Sequence, residues 1–196
     1  MTPRRRAPRA EDAGPPPALA VLELESLARG AVVVDALVKR AQVEVQLAEG
    51  VSTGKYVIVF VGPVAEVEEA FKAGEELGGA LVMDRLLLTQ LSSDVRDALA
   101  GTLAKPAAGD ALGLIETQTV AAAIASADAA VKAAKVKLTA WRLARGIGGK
   151  GFFTLAGVQH DVEAAIEAAG AAIAPPLLIA AELIQRPHSD AKGEGL

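Results

Sequence analysis

Hydrophobic and polar positions along this chain change period several times, and each period predicts an element. "ALAVLELE" at 18–25 alternates apolar with polar or small residues, the pattern of a half-buried strand. "SLARGAVVVDALVKRA" opens on a capping-type Ser26 and sets Val33, Leu37 and Ala41 on one helical face. "VEVQLAE" and "KYVIVFVG" read as a β-pair joined by a glycine-bearing turn. "PVAEVEEAFKAGEELGG" carries Pro63 in its first turn and ends on paired glycines, with Val64, Val67, Phe71 and Gly74 as the expected inward stripe. "ALVMDRLLLTQL" supplies a last strand, and a short helix followed by a loop is expected over 92–110.

The series then repeats. "LAVLELESLARGAVVVDALVKRAQVEV" from Leu19 aligns with "LGLIETQTVAAAIASADAAVKAAKVKL" from Leu112, an offset of 93. Glu23 falls on Glu116, Asp35 on Asp128, Lys39 on Lys132 and Val43 on Val136. After two extra residues, Gly54-Lys55 falls on Gly149-Lys150 and Gly62 on Gly157. A duplication of this size with only two copies points to paired domains rather than a solenoid. The expected organisation is an N-terminal tail (1–17, disordered), a first domain (18–101), a linker (102–110), a second domain (111–188) and a C-terminal tail (189–196). The fold class is α+β, two tandem ferredoxin-like domains, each an antiparallel sheet with helices packed on it.

Composition narrows the function classes. The 196 residues carry a net charge of −4, which gives no general pull toward nucleic acid or an anionic membrane. There is no cysteine, hence no disulfide and no thiolate ligand or nucleophile. The tail "MTPRRRAPRAEDAGPPPA" lacks the apolar stretch of a signal peptide, and no apolar run approaches the roughly 20 residues of a membrane-spanning helix. A soluble, cytoplasmic protein is expected.

One motif invites a different reading. "GIGGKG" at 146–151 fits the dinucleotide-binding pattern G-x-G-x-x-G, whose mechanism needs a strand before the glycines and a helix after them. Here "FFTLAG" follows, an aromatic and β-branched run that reads as a strand. In the first unit "VSTGKY" occupies the same turn, with Glu49 where a phosphate loop begins with glycine and Tyr56 where it needs Ser or Thr. Both turns join strand to strand, so neither is expected to bind a nucleotide.

With these residues in place the chain resembles the shell proteins of bacterial microcompartments, in their tandem-domain, trimer-forming version. The resemblance covers roughly 18–188 and rests on "LGLIET", "SADAAVKAAKV", the turn "GIGGK" and the closing "IQRPH". It implies a homotrimer forming a flat pseudohexagonal tile with a central pore for small metabolites, assembled with other shell proteins, hexameric and pentameric tiles among them. The implied pore turns are Val51, Ser52, Thr53 and Gly54, with Gly146, Ile147, Gly148 and Gly149. Glycine suits backbones that converge on an axis, because it permits close approach and positive φ. The implied tile-edge contacts are Lys39, Lys132, Arg186 and His188. The first unit departs from the family here, with Gln90 and Ser92 where the second has Arg186 and His188. Some relatives from propanediol-degrading compartments hold an iron–sulfur cluster at the pore through a cysteine. Ser52 stands at that position, and a neutral hydroxyl does not replace thiolate, so no cofactor is expected.

Other candidate chemistry is thin. Glu23 and Glu116 occupy equivalent positions in different units, so they form no acid pair and are expected in strand pairing or solvent. Asp35 and Asp128 precede Lys39 and Lys132 by one helical turn, the spacing of a local ion pair. His160 and His188 lie in different elements, and a metal site needs further ligands. Trp141 is expected to pack. No nucleophile–base pair can be assembled, so no enzyme activity is expected. The alternative is a trimeric tandem ferredoxin-like regulator that binds a small effector between its domains.

Overall fold

The computed structural model describes residues 17–52, 54–188 and 190. The tail assignments for 1–16, 189 and 191–196, and the pore assignment of Thr53, lie outside the described residues.

Each half of the chain folds in the same order. The first runs β1 (Ala18–Leu24), α1 (Leu27–Arg40), β2 (Glu44–Gly50), β3 (Tyr56–Gly62), α2 (Val64–Gly78) and β4 (Val82–Leu88). A short helix, α3 (Ser93–Leu99), and a loop lead to the second. That half runs β5 (Ala111–Thr117), α4 (Val120–Ala133), β6 (Lys137–Leu143), β7 (Gly151–Gly157), α5 (Gln159–Ala171) and β8 (Leu178–Ile184). The sheets have strand orders β2-β3-β1-β4 and β6-β7-β5-β8, all antiparallel. Their registers agree residue for residue: Ala18 pairs with Gly62 as Ala111 pairs with Gly157. This is the ferredoxin-like arrangement, twice.

Local chemistry starts the helices where the sequence places them. The hydroxyl of Ser26 accepts from Arg29 N at the start of α1, and that of Thr119 accepts from Ala122 N at the start of α4. The buried stripe of α2 differs from the expected one. It runs through Val67, Ala70, Gly74 and Gly78, while Phe71 is half-buried and Val64 is exposed. Close approach decides this: a Cβ at Gly74 would lie 2.5 Å from Leu22 Cδ1, so the helix turns its smallest residues onto the sheet.

β1 corrects the half-buried expectation, because all seven of its residues are buried. Ala18, Ala20, Leu22 and Leu24 face the first domain's own core with Val33, Leu37 and Phe60. Leu19 and Val21 face a second core that continues into the other domain through Ile115, Val120 and Ile124. The alternation is real, yet both faces are covered, one by the domain's own helices and the other by the second domain. Trp141 packs as expected, its ring centroid 6.2 Å from that of Phe153.

Candidate pore turns and the domain joint

The two hairpin turns share one backbone frame. In the first, Val51 N donates to Lys55 O at 2.9 Å; in the second, Ala144 N donates to Lys150 O at 2.8 Å. The second turn holds the two extra residues and needs left-handed backbone at Gly146, Gly148 and Gly149, with φ of 72°, 67° and 72°. Those values favour glycine over any residue with a Cβ. Gly54 takes φ 84° in the first. Gly151, the last glycine of "GIGGKG", is the first residue of β7, so no helix follows the glycines. Ser52, Gly146 and Gly148 are exposed, Ile147 is half-buried, and Val51 and Gly149 are buried.

The turns are neighbours. Arg145, inside the second, donates from Nε to both carboxylate oxygens of Glu49 at 2.5 and 2.7 Å. Glu49 lies at the end of β2, two residues before Val51. Sequence reasoning missed this pair because Arg145 has no charged counterpart in the first turn.

It also missed what stands behind each turn. Lys55 Nζ donates to Glu23 Oε2 at 2.6 Å, and Lys150 Nζ donates to Glu116 Oε1 at 2.8 Å. The duplication carried the signal, since Glu and Gly-Lys recur together at matched positions. Glu23 and Glu116 form no acid pair, and Glu23 does sit in strand pairing, opposite Val57 and Asp84; the solvent alternative is corrected for Glu23, whose side chain is fully buried. Burial pushes its carboxyl above the ordinary value, and the opposing effects of Lys55 and of the Ala121 N–H do not cancel that.

Glu23 belongs to a joint between the domains. Its Oε1 accepts the backbone N–H of Ala121 at 2.8 Å, placing a carboxylate at the positive N-terminal end of α4. Thr119 Oγ1 donates to Asp84 Oδ2 at 2.5 Å, and Ser92 N donates to Asp128 Oδ1 at 2.8 Å. Lys132 Nζ reaches Gln90 O and Asp128 Oδ2 of the same chain. One copy of the expected edge lysine is thus engaged inside the protein, with nearly half its side chain exposed at 45%. Lys39 holds Asp35 at 2.6 Å on the surface, the local ion pair expected from its spacing. Arg186 and His188 are exposed beyond β8. Among the described residues no group of three or more His, Cys, Asp or Glu could hold a metal ion, and no helix is long and apolar enough to cross a membrane.

A duplicated βαββαβ unit, with glycine hairpins side by side, can be compared with known proteins. The family model for the BMC domain matches twice, over residues 18–90 and 111–187. This chain belongs to the BMC-domain family. It is similar to the bacterial microcompartment shell protein PduT of Citrobacter freundii, 36% identical over 172 residues that cover 87% of this chain and 93% of that protein. The shell protein EutM of Salmonella typhimurium is 46% identical over 85 residues, covering 41% of this chain and 83% of EutM. Among solved structures, a microcompartments protein from Desulfitobacterium hafniense DCB superposes with TM-score 0.78 at 34% identity, over 88% of this chain and 96% of that one. The fused permuted hexameric shell protein MSM0275 of the RMM microcompartment superposes with TM-score 0.61 at 25% identity, over 80% and 83%. The chain is a microcompartment shell protein of the tandem BMC-domain type, and its role is structural.

Proposed function

We propose that three copies of this chain close into a six-domain, pseudohexagonal tile whose hairpin turns surround a central pore. The observation that carries this reading is the Glu49–Arg145 pair, which holds the two turns of one chain side by side. Repeating the arrangement about a threefold axis brings six turns together, where glycines allow backbones to approach closely. Small metabolites pass through the opening, lined by Ser52 and the exposed glycines of the second turn. The tile contains enzymes and catalyses nothing itself.

Tiles join at their edges through Lys39, Lys132, Arg186 and His188, docking with other hexameric and pentameric shell proteins in the bacterial cytoplasm. An iron–sulfur cluster does not fit the residues present. The chain has no cysteine, and Ser52 offers a hydroxyl where the cluster-holding relatives offer thiolate.

The test is Arg186→Asp. The variant is expected to form trimers as the original does, while extended sheets or shells are lost under negative-stain electron microscopy. Sheets of normal extent would contradict the edge assignment. Dispersed trimers of the unaltered chain that bind a small effector saturably would instead favour the regulatory reading.

A further inference from the structure

The glycines of "GIGGKG" shape a surface that close approach of backbones does not explain. Along the second turn φ is positive at Ala144 (59°), Gly146 (72°), Gly148 (67°) and Gly149 (72°), while Arg145 and Ile147 between them lie outside that region. Such alternation turns successive backbone N–H groups toward one side and makes a concavity suited to an anion. The hydrogen bonds agree. Leu143, Ala144, Ile147 and Lys150 use their carbonyls in bonds within the hairpin, whereas the N–H groups of Gly146, Ile147 and Gly148 have no acceptor among the described residues. Gly146 and Gly148 are exposed, so these donors meet solvent.

Two guanidinium groups stand beside them. A Cβ at Gly146 would lie 3.1 Å from Arg142 Nη2, which sets Arg142 against the turn. Arg145 grips Glu49 through Nε and Nη2, while its Nη1 donors have no partner among the described residues. The side chain of Arg145 is 74% exposed and that of Glu49 only 23%, so the pair turns its cationic end to solvent.

We propose that the second turn binds small oxyanions, carboxylate or phosphate, and that the pore it lines favours them over neutral or cationic metabolites of similar size. The oxygens of the anion accept from the N–H groups of Gly146, Ile147 and Gly148, and Arg145 and Arg142 supply the opposing charge. Three such sites about a threefold axis concentrate anions at the opening. A nucleotide is not the ligand, because its pyrophosphate needs a helix N-terminus and Gly151 begins β7 instead. A lone oxyanion needs the turn only. Glu49 competes for Arg145 and keeps the hold loose, as passage through a pore requires.

The role in transport rests on the pore reading, whereas the site belongs to a single chain. The isotope-labelled full chain is titrated at constant ionic strength with acetate, with inorganic phosphate and with acetamide, the uncharged counterpart of acetate. Backbone amides are followed by nuclear magnetic resonance. Saturable shifts at Gly146, Ile147 and Gly148 are expected with one or both anions, which tells carboxylate from phosphate, and none with acetamide. Arg145→Gln is expected to weaken binding about tenfold by removing a charge-assisted donor. Glu49→Gln, which removes the competing charge, is expected to tighten it. Circular dichroism checks that both variants are folded. Amides that respond to neither anion, or equally to acetamide, overturn the site, as does unchanged affinity in Arg145→Gln or weaker binding in Glu49→Gln. Sedimentation equilibrium on the same samples separates the two readings. A trimer with silent amides ends the anion site and leaves the pore standing; a monomer whose amides respond keeps the site and ends the pore.

Discussion

Glu49 and Arg145 are 96 positions apart in the chain, yet the guanidinium of one grips both oxygens of the other beside the two glycine turns. Arg145 is largely exposed, so this contact orients the turns more than it stabilises the fold. Exposed pairs contribute little to stability and are screened by salt. Arg145→Ala is expected to lower Tm by no more than about 4 °C in low salt, with the difference shrinking in high salt. Differential scanning calorimetry at two ionic strengths checks this. A large, salt-independent loss would mean that the pair holds the domains together.

Glu23 and Lys55 should behave oppositely, because both are buried. Glu23→Ala leaves the Lys55 ammonium buried without its carboxylate, which costs about 3–5 kcal/mol. It also strips the acceptor from Ala121 N–H at the start of α4. Chemical denaturation should show the loss and an earlier separation of the second domain. Glu116→Ala, at a partly exposed site, should cost the isolated protomer much less.

The same carboxyl sets a pH dependence. Its folded pKa is raised above the ordinary 4.5, so the folded state binds this proton more tightly than the unfolded state does. The contribution of Glu23 to stability is therefore greatest below about 4.5 and declines as pH rises through the folded pKa. Glu23→Gln lacks that titration. The stability advantage of the original over Glu23→Gln should be larger at pH 4.5 than at pH 7. An advantage that grows with rising pH would reverse the sign and mean that Lys55 outweighs burial.

Gly151 tests how closely the second hairpin approaches its helix. A Cβ there would lie 2.2 Å from Ala123 Cβ and 3.1 Å from the Thr119 carbonyl, neither of which swings away. Gly151→Ala is expected to cost about 1–3 kcal/mol by overpacking, measured as a shift in urea midpoint. A neutral result would mean that β7 lies farther from α4.

How far the sequence was legible follows from what repeats and what does not. The order of elements, both hairpins and the cap at Ser26 are local signals of period and turn chemistry, and the duplication stated most of them twice. The burial of Glu23 was illegible because alternation reveals that a strand has two faces but not what covers the second. That depended on the other domain arriving over Leu19 and Val21. Thr119–Asp84 and Glu49–Arg145 were illegible for another reason. Their equivalents are Ser26 with Ala180, and Arg142 with Ser52, so no repeated pair marked them. The α2 stripe was right at Val67 and Gly74 but misread at Val64, which is exposed, and it missed Ala70 and Gly78, because apolar size was taken as the guide where close packing favours small residues.

Cryo-electron microscopy of the purified chain, imaged as single particles and as any layer it forms, tests the central claim most directly. A threefold particle built from chains of 20.0 kDa, with the turns at Val51–Gly54 and Gly146–Gly149 ringing one central opening, is the predicted result. Particles whose hairpin turns lie on the outer rim, with no opening on a symmetry axis, would contradict it.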